Sequence, residues 1–306
     1  MVDTRAPFNP FHVGEIEAQR LAGVGVAHAP LRPFMPDQHR LFFAQLPYVF
    51  LATLDADGAP AATMLDGEPG FLSSPSPTSL LLRPRADDRD LVRRLLVPGA
   101  PVGLLGIELP TRRRNRANGR IVEARDGAFA IAVDQSFGNC PQYIHARAIE
   151  AVLPRGREPL EHLPALDAEA LALVARASTL FVASAAAIRD GGVDMSHRGG
   201  RPGFVRLEGG ELVVPEFRGN NYYNTVGNFL VDPRAALLVV DFETGDLLSI
   251  AGRVAVDWSP TVKPDGARFV WRLAPERAWR LRAASPYRWS GPELSPVLAR
   301  TGDWPA

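Results

Sequence analysis

Two stretches of the chain carry groups suited to holding an anion. Asp194-Met195-Ser196-His197-Arg198-Gly199-Gly200 places hydroxyl, imidazole and guanidinium groups in consecutive positions. Phe217-Arg218-Gly219-Asn220-Asn221-Tyr222-Tyr223-Asn224-Thr225 leads into a short helical pattern, expected over Asn221–Leu230 and ended by Asp232-Pro233. A helix N-terminus presents N–H groups without intrahelical partners and the positive end of the dipole, so it attracts phosphate. Arg218, Asn220, Asn221 and Thr225 would add guanidinium, amide and hydroxyl donors there. The same residues also read as an ordinary turn with an N-cap, and Arg198 alone as half of a surface ion pair.

A second group lies far upstream. In Thr111-Arg112-Arg113-Arg114-Asn115-Arg116, a pleat starting within the run puts Arg112, Arg114 and Arg116 on one face. Such a run reads equally as a solvated loop or a weak nucleic-acid patch. Ser136-Phe137-Gly138-Asn139-Cys140-Pro141-Gln142-Tyr143-Ile144 then brings small, amide and aromatic groups together. Cys140, followed by Pro and with no evident base, reads as a packed thiol rather than a nucleophile. His145 reads as structural rather than catalytic.

The elements that must position these groups occur twice. Phe50 matches Phe181, Gly70 matches Gly203, Leu80 matches Leu212 and Gly119 matches Gly252, at offsets of 131, 133, 132 and 133 residues. A nearly constant offset through several elements predicts two copies of one domain. The first copy has strand-like runs at Tyr48–Leu54, Ala61–Leu65, Ser79–Leu82, Val102–Ile107, Asn118–Ala124 and Ala128–Val133, with short helices opening at Pro36-Asp37 and over Asp87–Leu96. Asp37 is the expected N-cap, with Leu41, Phe42 and Leu46 on one side. The second has a helix at Ala168–Ala177 and strands at Thr179–Ala185, Gly192–His197, Gly203–Leu207, Glu211–Val214, Ala236–Phe242, Leu247–Val256 and Arg268–Leu273. The expected fold is mainly β (α+β): two tandem six-stranded antiparallel split β-barrels with short flanking helices, paired as a pseudo-dimer. Residues 1–35 form an N-terminal arm, 36–153 the first barrel, 154–166 a linker, 167–285 the second barrel and 286–306 a C-terminal tail. The copies differ where anions would bind: the first has Asp87-Asp88 where the second has Asn220-Asn221.

Bulk properties narrow the class. The chain has 306 residues, 46% hydrophobic and 22% charged, enough for two cored domains. Lys and Arg total 34 against 34 Asp and Glu, so there is no net basic field for nucleic acid or a membrane surface. Lys263 is the sole lysine, so an anion site must use arginine or backbone N–H groups. One cysteine rules out an intramolecular disulfide and a cysteine metal cluster; no metal site is expected. With no signal-like start and no long apolar run, a cytoplasmic location is the expectation.

Together these stretches resemble the pyridoxamine 5′-phosphate oxidase-like FMN-binding split-barrel family, and within it a tandem subgroup with two barrels on one chain. The resemblance covers roughly residues 36 to 285 and rests on Arg112–Arg116 with Asn118-Gly119-Arg120, Phe137–Ile144, Pro202-Gly203-Phe204-Val205, and Gly219-Asn220-Asn221 before Asp232-Pro233-Arg234-Ala235. It implies one FMN per chain in a groove between the barrels. It assigns Ser196, His197, Arg198, Arg218, Asn220 and Asn221 to the phosphate side, Arg114, Arg116, Asn139 and Gln142 to the opposite side, and Phe217 to the neighbourhood of the cofactor. Asn220-Asn221 stands where the founding enzyme has a basic pair. The implied activity is that of an FMN-dependent oxidoreductase on a small-molecule substrate, with NAD(P)H or a reductase as electron donor and no assigned catalytic residue. The alternatives are a non-catalytic flavin carrier or sensor, and a split barrel that holds haem or a deazaflavin. The resemblance fits a monomeric pseudo-dimer or a homodimer.

Overall fold

The computed structural model describes residues 10–25 and 30–305; part of the expected N-terminal arm lies outside them. The fold is mainly antiparallel β. In chain order the elements are α1 (Val13–Leu21), α2 (Asp37–Gln45), β1 (Tyr48–Leu54), β2 (Pro60–Asp66), β3 (Leu72–Ser76), β4 (Ser79–Leu82), β5 (Pro101–Glu108), β6 (Arg113–Arg125), β7 (Ala128–Gly138), β8 (Ile149–Val152) and β9 (Glu161–Leu163). They continue with α3 (Ala168–Arg176), β10 (Thr179–Ala185), β11 (Val193–Gly199), β12 (Arg206–Glu208), β13 (Glu211–Phe217), α4 (Asn224–Val231), β14 (Arg234–Val240), β15 (Leu247–Asp257), β16 (Ala267–Leu281) and β17 (Tyr287–Trp289).

Two sheets share one topology. The first runs β2-β1-β5-β6-β7-β4-β3 and the second β11-β10-β14-β15-β16-β13-β12, the same order strand for strand. Each path has seven strands rather than six. The addition in the first sheet is β3, whose polar Ser-rich sequence gives no alternating signal.

Period-two alternation explains how the sheets are used. In β1, Val49 and Leu51 point into a core built on the first sheet, against which only Trp279 of β16 packs from the second, whereas Tyr48, Phe50 and Ala52 point into a cluster shared by both. The second sheet repeats this: Leu180 and Val182 of β10 line its private core, and Phe181 and Ala183 the shared one. Strands buried on both faces read as continuous apolar runs, which is why β1 and β10 are so legible. Phe50 and Phe181, equivalent at the offset of 131, stack on each other with centroids 3.6 Å apart. A residue meeting its own equivalent marks an isologous interface, here inside one chain.

Several expected boundaries move. Pro36, not Asp37, is the N-cap of α2 and makes no side-chain cap bond; Asp37 pairs instead with Arg40 at 2.8 Å. Leu41 is exposed and Phe43 takes its place in the core. Over Asp87–Leu96 only a single 3₁₀ turn forms, Val92–Leu95, where the second copy has α4. The segment 154–166 is not a free spacer, because β9 pairs with β16 and Glu161 accepts from Arg280 and Arg282. The tail is built in too: β17 pairs with β8, and Tyr287 and Trp289 are buried in the shared cluster. Among the described residues no helix is long and apolar enough to cross a membrane.

Candidate functional site

A cleft opens at the seam between the two sheets, with ≈ 720 Å³ of free space including its mouth. The first copy contributes Arg114 and Arg116 from β6, and Asn139, Cys140, Gln142 and Tyr143 from the segment after β7. The second contributes His197, Arg198 and Gly199 from β11, Glu216 and Phe217 from the end of β13, and Asn220, Asn221, Asn224 and Thr225 around the start of α4. Nine of the eleven residues expected from the sequence therefore meet here.

The other two do not face the cleft. Ser196 is fully buried beneath it; its hydroxyl accepts from Arg116 Nη2 at 2.6 Å and bonds Thr225 Oγ1 at 2.6 Å. It fixes two cleft residues rather than a ligand, because alternation along β11 turns it away from the face of His197. The Arg218 side chain is exposed to solvent, and only its carbonyl is engaged, accepting from the Tyr143 hydroxyl at 3.1 Å. Arg112 also leaves the basic row: with φ 59 it ends a short 3₁₀ turn before β6 and donates to the carbonyl of Ile144 and to Glu293. The remainder of that basic run is strand, so it is neither loop nor open patch.

The helix begins three residues later than expected. Asn221 (φ 64) and Tyr223 (φ 57) are left-handed, which halts the helix before Asn224. Asparagine tolerates this conformation well, so Asn221 belongs to the turn that presents the helix, not to its first turn.

The electrostatics are asymmetric and mostly compensated. Arg116 Nη1 pairs with Asp194 at 3.1 Å, and both side chains are under a tenth exposed. Arg198 Nε pairs with Glu216 at 2.9 Å, and Trp271 Nε1 also donates to that carboxylate at 3.2 Å. Arg114 has no carboxylate partner among the described residues; its guanidinium donates to the carbonyl of Cys140 at 2.9 Å and lies 3.9 Å from the thiol. Burial pushes Arg114 down to about 10. It remains charged at neutral pH and is the uncompensated cation of the cleft. Burial also holds the His197 imidazole well below its ordinary value, with Arg114 adding to the effect, so His197 is neutral. His145 is structural as expected, with Nε2 bonding the carbonyls of Ser178 and Gly200 and Nδ1 accepting from Ser295 N.

Four buried atoms with no partner among the described residues converge on this cleft: Arg116 Nε, Asn139 Oδ1, His197 Nε2 and Asn221 Oδ1. Such orphans are costly unless something completes them, and four of the nine in the described residues sit here. The cleft also has an aromatic closure: Tyr143 stacks on Phe217 at 5.4 Å between centroids and 20° between planes. Tyr143 is held in left-handed conformation (φ 64), and a Cβ at Gly199 would lie 2.1 Å from its carbonyl oxygen. Gly199→Ala should therefore push this segment outward and cost about 1–3 kcal/mol of stability in chemical denaturation; an unchanged midpoint would mean that the segment is not packed on β11.

Below the floor lies a polar network that sequence reasoning missed. Asp194 accepts from Arg116, from Asn118 at 2.8 Å and from Asn228 of α4 at 2.8 Å. Asn228 meets His12 Nε2 at 2.9 Å, and Asn224 donates to Glu15 of α1. The only signal was the density of Asn, Asp and Ser in segments otherwise built to be buried.

The equivalent place in the first copy is closed. Positions 133 residues before His197, Arg198 and Gly199 hold Met64, Leu65 and Asp66, and those 133 after Arg114 and Arg116 hold Leu247 and Ser249. Asp66 is buried and ion-paired with Arg85 and with Arg155 from the interdomain segment. Only ≈ 280 Å³ of free space remains there.

No family model matches the chain, and no curated protein matches it. Solved structures similar to parts of it include a point variant of HupZ from Group A Streptococcus, 16% identical over 38% of this chain and 99% of that one, TM-score 0.30. A putative pyridoxamine 5′-phosphate oxidase from Lactobacillus delbrueckii is 19% identical over 35% and 95%, TM-score 0.26. An FAD-binding protein from Mesorhizobium loti is 14% identical over 41% and 99%, TM-score 0.29. Likenesses this low carry no functional weight; the cleft residues must.

Proposed function

We propose that the seam cleft binds one FMN per chain and that the protein is an FMN-dependent oxidoreductase, a fused pair of split barrels with one working site. The observation that carries the reading is the convergence of four orphaned buried atoms from both copies, one donor and three acceptor-bearing groups, around the uncompensated Arg114. A bare inorganic anion would satisfy Arg116 and Arg114 but leave the acceptor Asn139 Oδ1 empty. A phosphate joined to a ring whose edge has both an N–H and carbonyls answers both kinds of group.

In this reading Asn220, Thr225, the side-chain N–H₂ of Asn221 and the first-turn N–H groups of α4 hold the phosphate, with Arg198 alongside. Glu216 opposes it little, because Arg198 neutralises that carboxylate and Trp271 donates a hydrogen bond to it. Arg114, Arg116, Asn139 and Gln142 face the ring edge from the other barrel. Bound FMN supplies the redox chemistry by accepting and passing on electrons. The chain's own contribution is orientation and the positive field of Arg114. His197, held neutral by burial and with Nε2 unpartnered among the described residues, presents an uncharged imidazole to the ligand. The Tyr143–Phe217 stack must part to admit the ring.

The free Nε2 of His197 also favours a second reading, a haem iron ligand. Absorbance and mass spectrometry of the small molecule retained by the purified chain decide between them. Flavin bands and the mass of FMN support the first reading, and a Soret band the second. A colourless protein that ignores added FMN sinks the flavin reading. With FMN bound, consumption of NAD(P)H distinguishes an enzyme from a carrier.

A further inference from the structure

Helix α1 has no counterpart in the fold logic of either sheet, yet it touches the cleft's phosphate side. Its crossing with α4 is unusually close: a Cβ on Gly14 would lie 2.4 Å from Gly227 O, and one on Gly227 would lie 2.5 Å from the Glu15 Cα. Two glycines thus let α1 sink onto α4 and carry Glu15 to a position 4% exposed. There Glu15 accepts from the side chain of Asn224, which lines the cleft at the first residue of α4, and from the His12 backbone N–H at 2.8 Å.

The charged and titratable groups facing Glu15 are few. From β11 comes Asp194, from β6 comes Arg116, and from its own cap comes His12. Burial holds the His12 imidazole below its ordinary value, so it supplies no cation near neutral pH. Two acids therefore share one arginine. With Glu15 protonated, Asp194 and Arg116 cancel. With Glu15 ionised, a net negative charge sits behind the first turn of α4, where an anion would dock.

We propose that Glu15 is a positioning residue that sets the cleft's affinity for an anionic ligand through its own protonation: the neutral acid holds Asn224 and leaves the α4 N-terminus positive, and the carboxylate opposes the bound phosphate. The proposal rests on the reading of the cleft as a flavin phosphate site. Burial first, then Asp194, pushes Glu15 up to about 8, so the change falls near neutral pH. The sign follows: affinity is highest below about pH 8 and falls as pH rises through it, and a bound anion in turn holds the proton on Glu15 more tightly.

The test is equilibrium binding of FMN from pH 7 to 9.5, a range over which the phosphate stays a dianion. Wild-type Kd should rise about tenfold, the size expected for one charge roughly 10 Å from an anion in a partly buried site. Glu15→Gln should flatten the profile to within about twofold. Parallel slopes in wild type and Glu15→Gln overturn the proposal. If wild type binds no FMN at any pH, the flavin reading fails, and sulfate, whose charge is constant here, replaces it as the probe. A sulfate slope present in wild type and lost in Glu15→Gln sustains the proposal; equal slopes, or no sulfate binding, overturn it. A ¹³C-carboxyl NMR titration of Glu15 in the wild-type chain needs no variant. A midpoint near 8 that climbs with ligand supports the proposal, and one in the ordinary carboxylate range overturns it.

Discussion

Arg116→Met should lose about 3–5 kcal/mol of folding stability in urea denaturation, the cost of stripping one partner from a buried ion pair. Arg116 and Asp194 are both under a tenth exposed, so solvent screening gives little relief. Asn118 and Asn228 still donate to Asp194, but neither supplies a positive charge. The loss should spread, because Arg116 Nη2 also fixes Ser196, and Ser196 fixes Thr225 at the start of α4. Arg116→Lys should recover more than half of the stability by restoring the charge, though an ammonium cannot serve Asp194 and Ser196 as a fork. A loss under about 1 kcal/mol for Arg116→Met would mean that the pair is not the seam's anchor.

The second large effect is on binding. Asn221→Asp should weaken FMN about 100-fold or more, roughly 2.7 kcal/mol, by placing a carboxylate at the phosphate turn. The left-handed backbone at Asn221 (φ 64) accommodates aspartate nearly as well as asparagine, so the fold should survive and the effect is one of charge. Asp88→Ala, at the position 133 residues earlier, should change FMN affinity less than twofold, because the first copy's pocket is closed by Asp66 with Arg85 and Arg155. Isothermal titration of the two variants side by side checks the pair. Equal losses would mean that both copies bind.

What was legible in the sequence were features that repeat or alternate. The constant offset pairs the two sheets strand for strand, and the apolar runs of β1 and β10 announce strands buried on both faces. The opposed locations of Arg114, Arg116, Asn139 and Gln142 against His197, Arg198 and Asn221 follow from that pairing. Helix α1 was hidden because its docking face is Gly14, Glu15, Ala18 and Gln19, with no apolar stripe to give a helical period. Its contact with α4 is close-packed glycine and a buried carboxyl, which only the fold brings together. Ser196 and Arg218 were misjudged for a related reason: residue type suggested donors, but pleat and turn geometry aim one beneath the floor and the other into solvent. The three-residue delay of α4 rests on left-handed Asn221 and Tyr223, and tyrosine gives no warning of that. β9, β17 and β8 are short, and their pairing partners lie more than a hundred residues away.

One flavin site per chain, made jointly by both copies, is tested most directly by the binding stoichiometry of FMN to the purified chain, measured by equilibrium dialysis at saturating flavin. The expected result is one FMN per chain, retained on Asp88→Ala and reached by Asn221→Asp only at far higher flavin. Two per chain, or none, would contradict it.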